Sequence, residues 1–309
     1  MYAITGASGF IGNHLEDLLK EKKINYIKIG RKKDSDFIIK DINSKTNWSE
    51  SLKGVDTIFH LAGRAYVSKS KCNISKDLHQ KINFEGTKRL AEKASEMGVK
   101  RIIFLSTAKV YGERSGFGEK FKISSKLNPN DKYAISKMNA EKCIKNIAKN
   151  SGLDFVIVRT PLVYGPYMKA NLLNLFSLVY SKLPLPLGKI KNKRSIIYVG
   201  NLVDFLYNCA ISPNAKNKTF LISERYAFST QEIIKLISIS IKVPLIIFPF
   251  PLSILKIIAS FLGKRIYFSK ITDSFEVDAS ESYKILNWYP PFDVYTSFKI
   301  TGKWFLKKR

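Results

Sequence analysis

The sequence is poor in cysteine, histidine, carboxylates and long apolar runs. Its 309 residues hold three cysteines, Cys72, Cys143 and Cys209, far apart in the chain. That excludes a disulfide framework and a cysteine-based metal site, and it favours a reducing, cytoplasmic setting. The three histidines, His14, His60 and His79, show no ligand spacing, so no metal is expected. Only Pro244–Leu262 resembles a membrane segment. It contains three prolines and Lys256, whereas a spanning helix needs ~20 predominantly apolar residues. It reads as a buried helix or a lid, with weak peripheral membrane contact as the lesser reading. The opening MYAITGASGF has no basic segment before an apolar run, so no signal peptide is read there.

The shortage of acids leaves a formal net charge of +27, from 52 Lys and Arg against 25 Asp and Glu. Such a balance suits an anionic partner, whether nucleic acid, a membrane surface or a phosphorylated substrate. The lysines are scattered, however, with no block of five or six, which fits a lysine-rich composition better than a built patch. The interleaving of aromatic and basic residues that grips single strands is missing, so no nucleic acid is expected. Hydrophobic residues at 45% and charged ones at 25% exclude disorder, collagen and coiled coil. The length allows a sizeable core in one large domain or two joined ones.

What is present is an alternation of short apolar runs and helical patterns. Met1–Thr5, Tyr26–Ile29, Thr57–Leu61, Arg101–Ser106 and Phe155–Arg159 read as buried strands. Phe10–Glu21, Ser75–Met97 and Asp131–Asn150 read as helices. This predicts an α/β fold: a Rossmann-type, doubly wound parallel sheet with right-handed crossovers. After Tyr164-Gly165-Pro166 prolines accumulate and the pattern blurs. Residues 1–165 are therefore read as the dinucleotide-binding domain and 166–309 as a smaller substrate-binding lobe, with the chain free to cross between them.

Thr5-Gly6-Ala7-Ser8-Gly9-Phe10-Ile11-Gly12 follows a strand and opens a helix. Gly6 permits a tight turn, Gly9 lets backbone approach a pyrophosphate, and Gly12 lets helix and strand pack closely. The N–H groups at Phe10, Ile11 and Gly12 then face the anion. At the end of the second strand, where a carboxylate would hold the adenosine ribose, stands Arg31. A guanidinium suits a 2′-phosphate, which favours NADP(H), with NAD(H) still possible. The plainer reading is a solvated basic turn. Asp41 and Ile42 are candidates to line the adenine.

Tyr133 and Lys137 are spaced i, i+4 and share a helix face. A phenol has a pKa of ~10, and a neighbouring ammonium lowers it towards use as an acid/base at a carbonyl or alcohol oxygen. Thr107 follows a strand at the carboxyl edge, where open α/β sheets bind ligands. Its hydroxyl can hold the same oxygen.

Six ordered motifs now stand together: Thr5–Gly12, His60-Leu61-Ala62-Gly63, Asn83-x-x-Gly86-Thr87, Leu105-Ser106-Thr107-x-x-Val110-Tyr111-Gly112, Tyr133-x-x-x-Lys137 and Arg159-Thr160-Pro161-x-Val163-Tyr164-Gly165-Pro166. The chain resembles the extended short-chain dehydrogenase/reductase family, in its NAD-dependent epimerase/dehydratase branch acting on nucleotide sugars. The resemblance implies that Thr107 holds the reacting sugar oxygen, Tyr133 is the acid/base, and Lys137 holds the nicotinamide ribose and tunes Tyr133. It places Leu61, Ala62, Gly63, Asn83, Ser106 and Pro161 at the cofactor; Gly63 departs from the family's more usual alanine. It puts Arg194 on the nucleotide diphosphate and Asn171 at the substrate. The second half resembles bacterial reductases and epimerases of surface-polysaccharide loci. That implies a cytoplasmic enzyme reducing the 4-keto group of a UDP-4-keto-6-deoxy-N-acetylhexosamine in O-antigen biosynthesis. The alternative is an NAD-dependent UDP-glucose or UDP-hexose 4-epimerase. A more distant one is a non-catalytic nucleotide- or RNA-binding module. A homodimer through Ser75–Met97 and Asp131–Asn150 is also implied.

Overall fold

The computed structural model describes residues 1–65, 78–116, 118–169 and 171–309. The strands are β1 (Tyr2–Thr5), β2 (Tyr26–Gly30), β3 (Phe37–Ile38), β4 (Thr57–His60), β5 (Arg101–Thr107), β6 (Asp154–Thr160), β7 (Leu162–Tyr164), β8 (Ile196–Tyr198) and β9 (Lys218–Leu221). The helices are α1 (Phe10–Glu21), α2 (Gly86–Glu96), α3 (Lys132–Lys149), α4 (Asn171–Tyr180), α5 (Val199–Ile211), α6 (Thr230–Ile241), α7 (Leu252–Phe261), α8 (Arg265–Thr272), α9 (Ser280–Leu286) and α10 (Val294–Lys307).

Seven strands form one sheet in the order β3-β2-β1-β4-β5-β6-β9. All six pairings are parallel. The doubly wound sheet read from the sequence is therefore present. Its central strands β1, β4, β5 and β6 carry apolar residues on both faces because both faces are covered. Ile4, Phe59, Ile103, Leu105, Val156 and Val158 enter the core on one face. Their neighbours Ala3, Ile58, Ile102, Phe104 and Ile157 enter the core on the other, as the two-residue period of a strand requires. Helices α2 and α3 supply Leu90, Ala94, Ala140 and Ile144 to the second core. The first core is shared with α5, α6 and α10.

The order reverses between β1 and β4, which opens a crevice at their carboxyl ends. After β6 the chain builds a two-stranded parallel sheet from β7 and β8, then returns β9 to the edge of β6. A third cluster, including Val110, Tyr111, Phe275 and Val277, joins the segment after β5 to the second lobe.

Two elements differ from the sequence reading. Ser75–Met97 was expected as one regular helix. Its first three residues lie outside the described ones, and Gln80–Glu85 is wound as a π-helix before α2 begins. Pro244–Leu262 reads as a buried helix or a lid, and the first of these does not hold: α7 contains no buried residue. Apolar composition predicts burial only where a neighbour covers the outer face, and no described element does so here.

Candidate active site

The β1–α1 turn is closed by its glycines. Gly6 has φ +75°, and a Cβ there would lie 2.7 Å from the Ala62 nitrogen. A Cβ on Gly12 would lie 2.3 Å from the Gly6 oxygen, so only glycine permits this close packing. Gly9 caps α1 with backbone alone, and no acidic residue sits in the first turn. Asn13 N–H returns to the Gly9 carbonyl at 3.0 Å. The N–H groups of Phe10, Ile11 and Gly12 precede the first such bond and have no intrahelical acceptor. They carry the positive end of the helix dipole.

Around this turn the chain is held by a buried relay. Thr5 Oγ1 meets His60 Nδ1 at 2.7 Å, and His60 Nε2 meets Thr87 Oγ1 at 2.8 Å. Burial pushes the imidazole down to about 3, so it is neutral. Leu61 N–H donates to the Thr5 carbonyl at 3.1 Å and Ala62 N–H to Thr5 Oγ1 at 3.3 Å, which lays Leu61 and Ala62 along the crevice.

At the adenosine end, Arg31 follows β2 and is exposed. Asp36 turns back to accept from Lys28 N–H at 2.7 Å. Ile42 Cγ2 lies 2.3 Å from where a Cβ on Gly86 would stand, so Ile42 packs on the start of α2. Asp41 is exposed, and its carbonyl accepts from Thr46 Oγ1 at 3.0 Å.

Helix α3 is tied to the end of β5 at three levels. Lys137 Nζ donates to the Leu105 carbonyl at 2.8 Å. Ser106 Oγ donates to Glu141 Oε1 at 2.5 Å. Lys109 Nζ pairs with Asp131 Oδ2 at 2.6 Å, and Asp131 also caps α3 by accepting from Ala134 N–H. These ties straddle Thr107 and Tyr133 and hold both at one edge of the sheet. Thr107 Oγ1 accepts from Lys109 N–H at 3.2 Å. Tyr133 is half-buried, with its ring edge-on to His79 at 6.1 Å between centroids.

Lys137 is 4% exposed, over the Phe104 ring at 4.3 Å. Burial pulls its ammonium down to about 7, against the pull of Glu141. A Cβ on Gly63 would come within 3.2 Å of Lys137 Nζ and 3.3 Å of Asn83 Oδ1, so these three residues meet. The π-helical turn aims the Asn83 amide at the loop after β4. Its Oδ1 accepts from Arg64 N–H at 2.7 Å, and its Nδ2 donates to the Arg64 carbonyl and to Ser136 Oγ, each at 3.0 Å. Rare π-turns of this kind recur at functional sites.

Behind this edge lies a buried ion pair. Arg159 grips Glu141 through Nε at 3.1 Å and through its terminal nitrogen at 2.6 Å, and it donates to the Tyr111 hydroxyl at 2.6 Å. Ser106 thus directs its hydroxyl into the ion pair and not into the crevice. Just before β8, Arg194 pairs its backbone with Phe228, and its guanidinium donates to the Asp273 carbonyl at 2.9 Å. Burial lowers its pKa against the opposing pull of Asp273, and no ion pair to it occurs among the described residues. Pro161 is half-buried between β6 and β7. Asn171 opens α4, and its side chain lies outside the described ones.

Sequence reasoning missed His79, Glu141, Arg159 and Asp131. Glu141 carried a signal: it follows Lys137 by four residues, which puts a second charged group on the buried face of α3. Arg159 stood within a quoted motif without a role. Asp131 carried only the signal of a helix N-cap, and His79 had none, because its partners come from distant segments.

The sequence profile of the NAD dependent epimerase/dehydratase family matches residues 2–223, from β1 through β9. The chain belongs to that family. Among family members, UDP-glucose 4-epimerase of Vibrio cholerae is 36% identical over 98% of this chain and 95% of that protein. An Escherichia coli O157:H7 epimerase, N-acetyl-alpha-D-glucosaminyl-diphospho-ditrans,octacis-undecaprenol 4-epimerase, is 24% identical over 87% of this chain and 82% of its own. The solved structure of Thermotoga maritima UDP-glucose 4-epimerase with UDP-glucose superposes with a TM-score of 0.78 at 22% identity, covering 99% of both chains. That of Bacillus cereus UDP-glucuronic acid 4-epimerase with NAD gives 0.78 at 20% identity, again with 99% of both chains covered. At such identities the shared property is the fold.

Proposed function

We propose that this chain is a nucleotide-sugar 4-epimerase that works through a nicotinamide dinucleotide. The observation that carries the reading is the triple tie of α3 to β5, which sets Thr107, Tyr133 and Lys137 around one crevice edge. The Vibrio cholerae relative, similar along nearly the whole chain, favours epimerisation over the net 4-keto reduction expected from the sequence.

The residues fit a dinucleotide. A cradle that a Cβ at Gly6 or Gly12 would fill, and an uncapped helix start without acids, suit a pyrophosphate. When bound, the nicotinamide supplies a two-electron acceptor and donor for C4 of the sugar. Leu61, Ala62 and Gly63 line its path, and Asn83 holds that loop in place. Lys137 Nζ offers its remaining protons to the nicotinamide ribose. Tyr133 takes the proton of the sugar O4 hydroxyl and later returns it. Thr107 accepts from Lys109 N–H, so its own proton remains to donate to the same oxygen. Arg194 is a half-buried cation suited to a diphosphate. UDP-glucose is the proposed substrate, and the outer faces of α2 and α3, which flank a groove of about 700 Å³ beside Cys143 and Ile147, are the proposed homodimer contact.

Arg31 favours a second reading, an NADPH-dependent 4-ketoreductase, because an exposed guanidinium stands where NADP(H) would place its 2′-phosphate. One preparation separates the two. Purified protein should carry NAD+ and interconvert UDP-glucose and UDP-galactose without added coenzyme. Protein that arrives without coenzyme, leaves both sugars unchanged and oxidises NADPH against a UDP-4-keto sugar would replace the first reading with the second.

A further inference from the structure

The hairpin of α7 and α8 has an apolar surface that the reaction does not use. Ile254, Ile257, Ile258 and Phe261 recur at i, i+3, i+4 and i+7, so they form one stripe along α7. A helix normally buries that stripe. Here the four are 44%, 64%, 46% and 94% exposed, and Leu262 beside them is 64% exposed. The inner face of α7 is also apolar: Leu252, Leu255 and Ala259 are half-buried against the rest of the chain. Only a narrow strip of Ser253, Lys256 and Ser260 on α7 is polar, so most of the helix circumference is apolar, as for a helix that lies in an interface.

Charge says what covers it. From Ile233 to Thr272 there is no Asp or Glu, while Lys235, Lys242, Lys256, Lys264, Arg265 and Lys270 fall in that stretch. Lys264 and Arg265 are exposed and follow directly on Phe261 and Leu262 at the turn between the helices. Apolar side chains next to cations, in a stretch without acids, complement an anionic lipid surface. The ten residues of α7 span only about 15 Å, too short to cross a bilayer, so the helix would lie in the interface.

We propose that α7 and the α7–α8 turn dock this protein onto the surface of an anionic phospholipid bilayer. The docked hairpin is continuous with the substrate wall. Asn192 Nδ2 donates to the Ile271 and Asp273 carbonyls at the end of α8, and Arg194 donates to the same Asp273 carbonyl. Docking therefore sets the Arg194 side of the crevice near the headgroups.

The test is co-sedimentation of the full chain with phosphatidylglycerol/phosphatidylethanolamine vesicles, against phosphatidylcholine vesicles, at low and high salt. Binding should require the anionic lipid and weaken with salt. A Phe261→Ser/Ile257→Ser variant and a Lys264→Glu/Arg265→Glu variant should each lower the affinity about tenfold or more, with coenzyme content unchanged. Amide exchange on the wild type gives a second readout: residues 252–265 should be protected by anionic vesicles. Equal binding to both lipids, no binding, or unaltered exchange in that segment would overturn the proposal. So would a serine variant that changes a dimer into a monomer while the wild type ignores vesicles, since a second copy would then own this face.

Discussion

Tyr133 sits in the first turn of α3, where its position is set by groups other than itself. Lys137 is tied to Leu105, and Asp131 to Lys109, on either side of it. Replacing the phenol should therefore remove the proposed proton relay while these flanking ties persist. Tyr133→Phe should keep its coenzyme and its melting temperature while kcat falls ~10²–10⁴-fold, the usual contribution of an acid/base group. Steady-state kinetics beside a thermal melt checks both halves. Arg31 is the opposite kind of residue, exposed and unsupported. If the second, reductase reading holds, Arg31→Asp should move coenzyme preference from NADP(H) towards NAD(H), read as the ratio of kcat/KM or of binding constants for the two. An unchanged ratio would make Arg31 a solvated turn residue.

At the scale of elements, α3 is the organising piece, and Glu141 is what fixes it to the sheet. The carboxylate is 2% exposed, and its partner Arg159 is 4% exposed. Glu141→Gln leaves the guanidinium buried without a counter-charge, which should cost about 3–5 kcal/mol in urea unfolding. A Glu141→Leu/Arg159→Met double variant should recover most of that loss, because removing both charges removes the desolvation cost as well. The sequence reading reached β1, β2, β4, β5 and β6 because buried parallel strands are short apolar runs, and it reached α1 and α3 through their periodicity. It could not reach β3, β7 or β8, which are two or three residues long and exist through their pairing. The glycine cradle and the Tyr133–Lys137 pair were legible because each is encoded within a dozen residues. The Glu141–Arg159 pair and the His79–Tyr133 contact close long loops, so their chemistry becomes visible only after folding. The π-helical turn at Gln80–Glu85 has the same origin: it lets Asn83 reach Arg64 and Ser136, and nothing in its own sequence marks it.

Across the whole molecule, pH acts through buried titratable groups of opposite sense. His60 is held neutral, with its pKa lowered from 6.5 to about 3, so the unfolded chain takes up a proton first and stability falls as pH drops below 6.5. Burial raises Glu224 from 4.5 to about 7, so the folded state keeps its proton longer and stability falls as pH rises from 4.5 to 7. Lys137 is lowered from 10.5 to about 7, so between those values the unfolded chain holds the extra proton and stability rises with pH. Urea midpoints of coenzyme-free wild type and Lys137→Met can isolate the last effect. The wild type should gain on the variant from pH 7 to 10, by at most about 1.4 kcal/mol per pH unit, and the gap should be flat below pH 7. A parallel pH response of the two proteins would mean that Lys137 titrates alike folded and unfolded.

The return of β9 has a consequence for how the chain is made. Val156 of β6 faces Lys218 of β9, so a bare row of backbone donors and acceptors waits for a partner some sixty residues further along. Until that stretch leaves the ribosome the nascent sheet ends in an open edge, the kind of template on which neighbouring chains aggregate. A nick or shortened clone ending anywhere from 166 to 217 would keep every glycine of the cradle and lose this closing strand, and its product should collect in inclusion bodies.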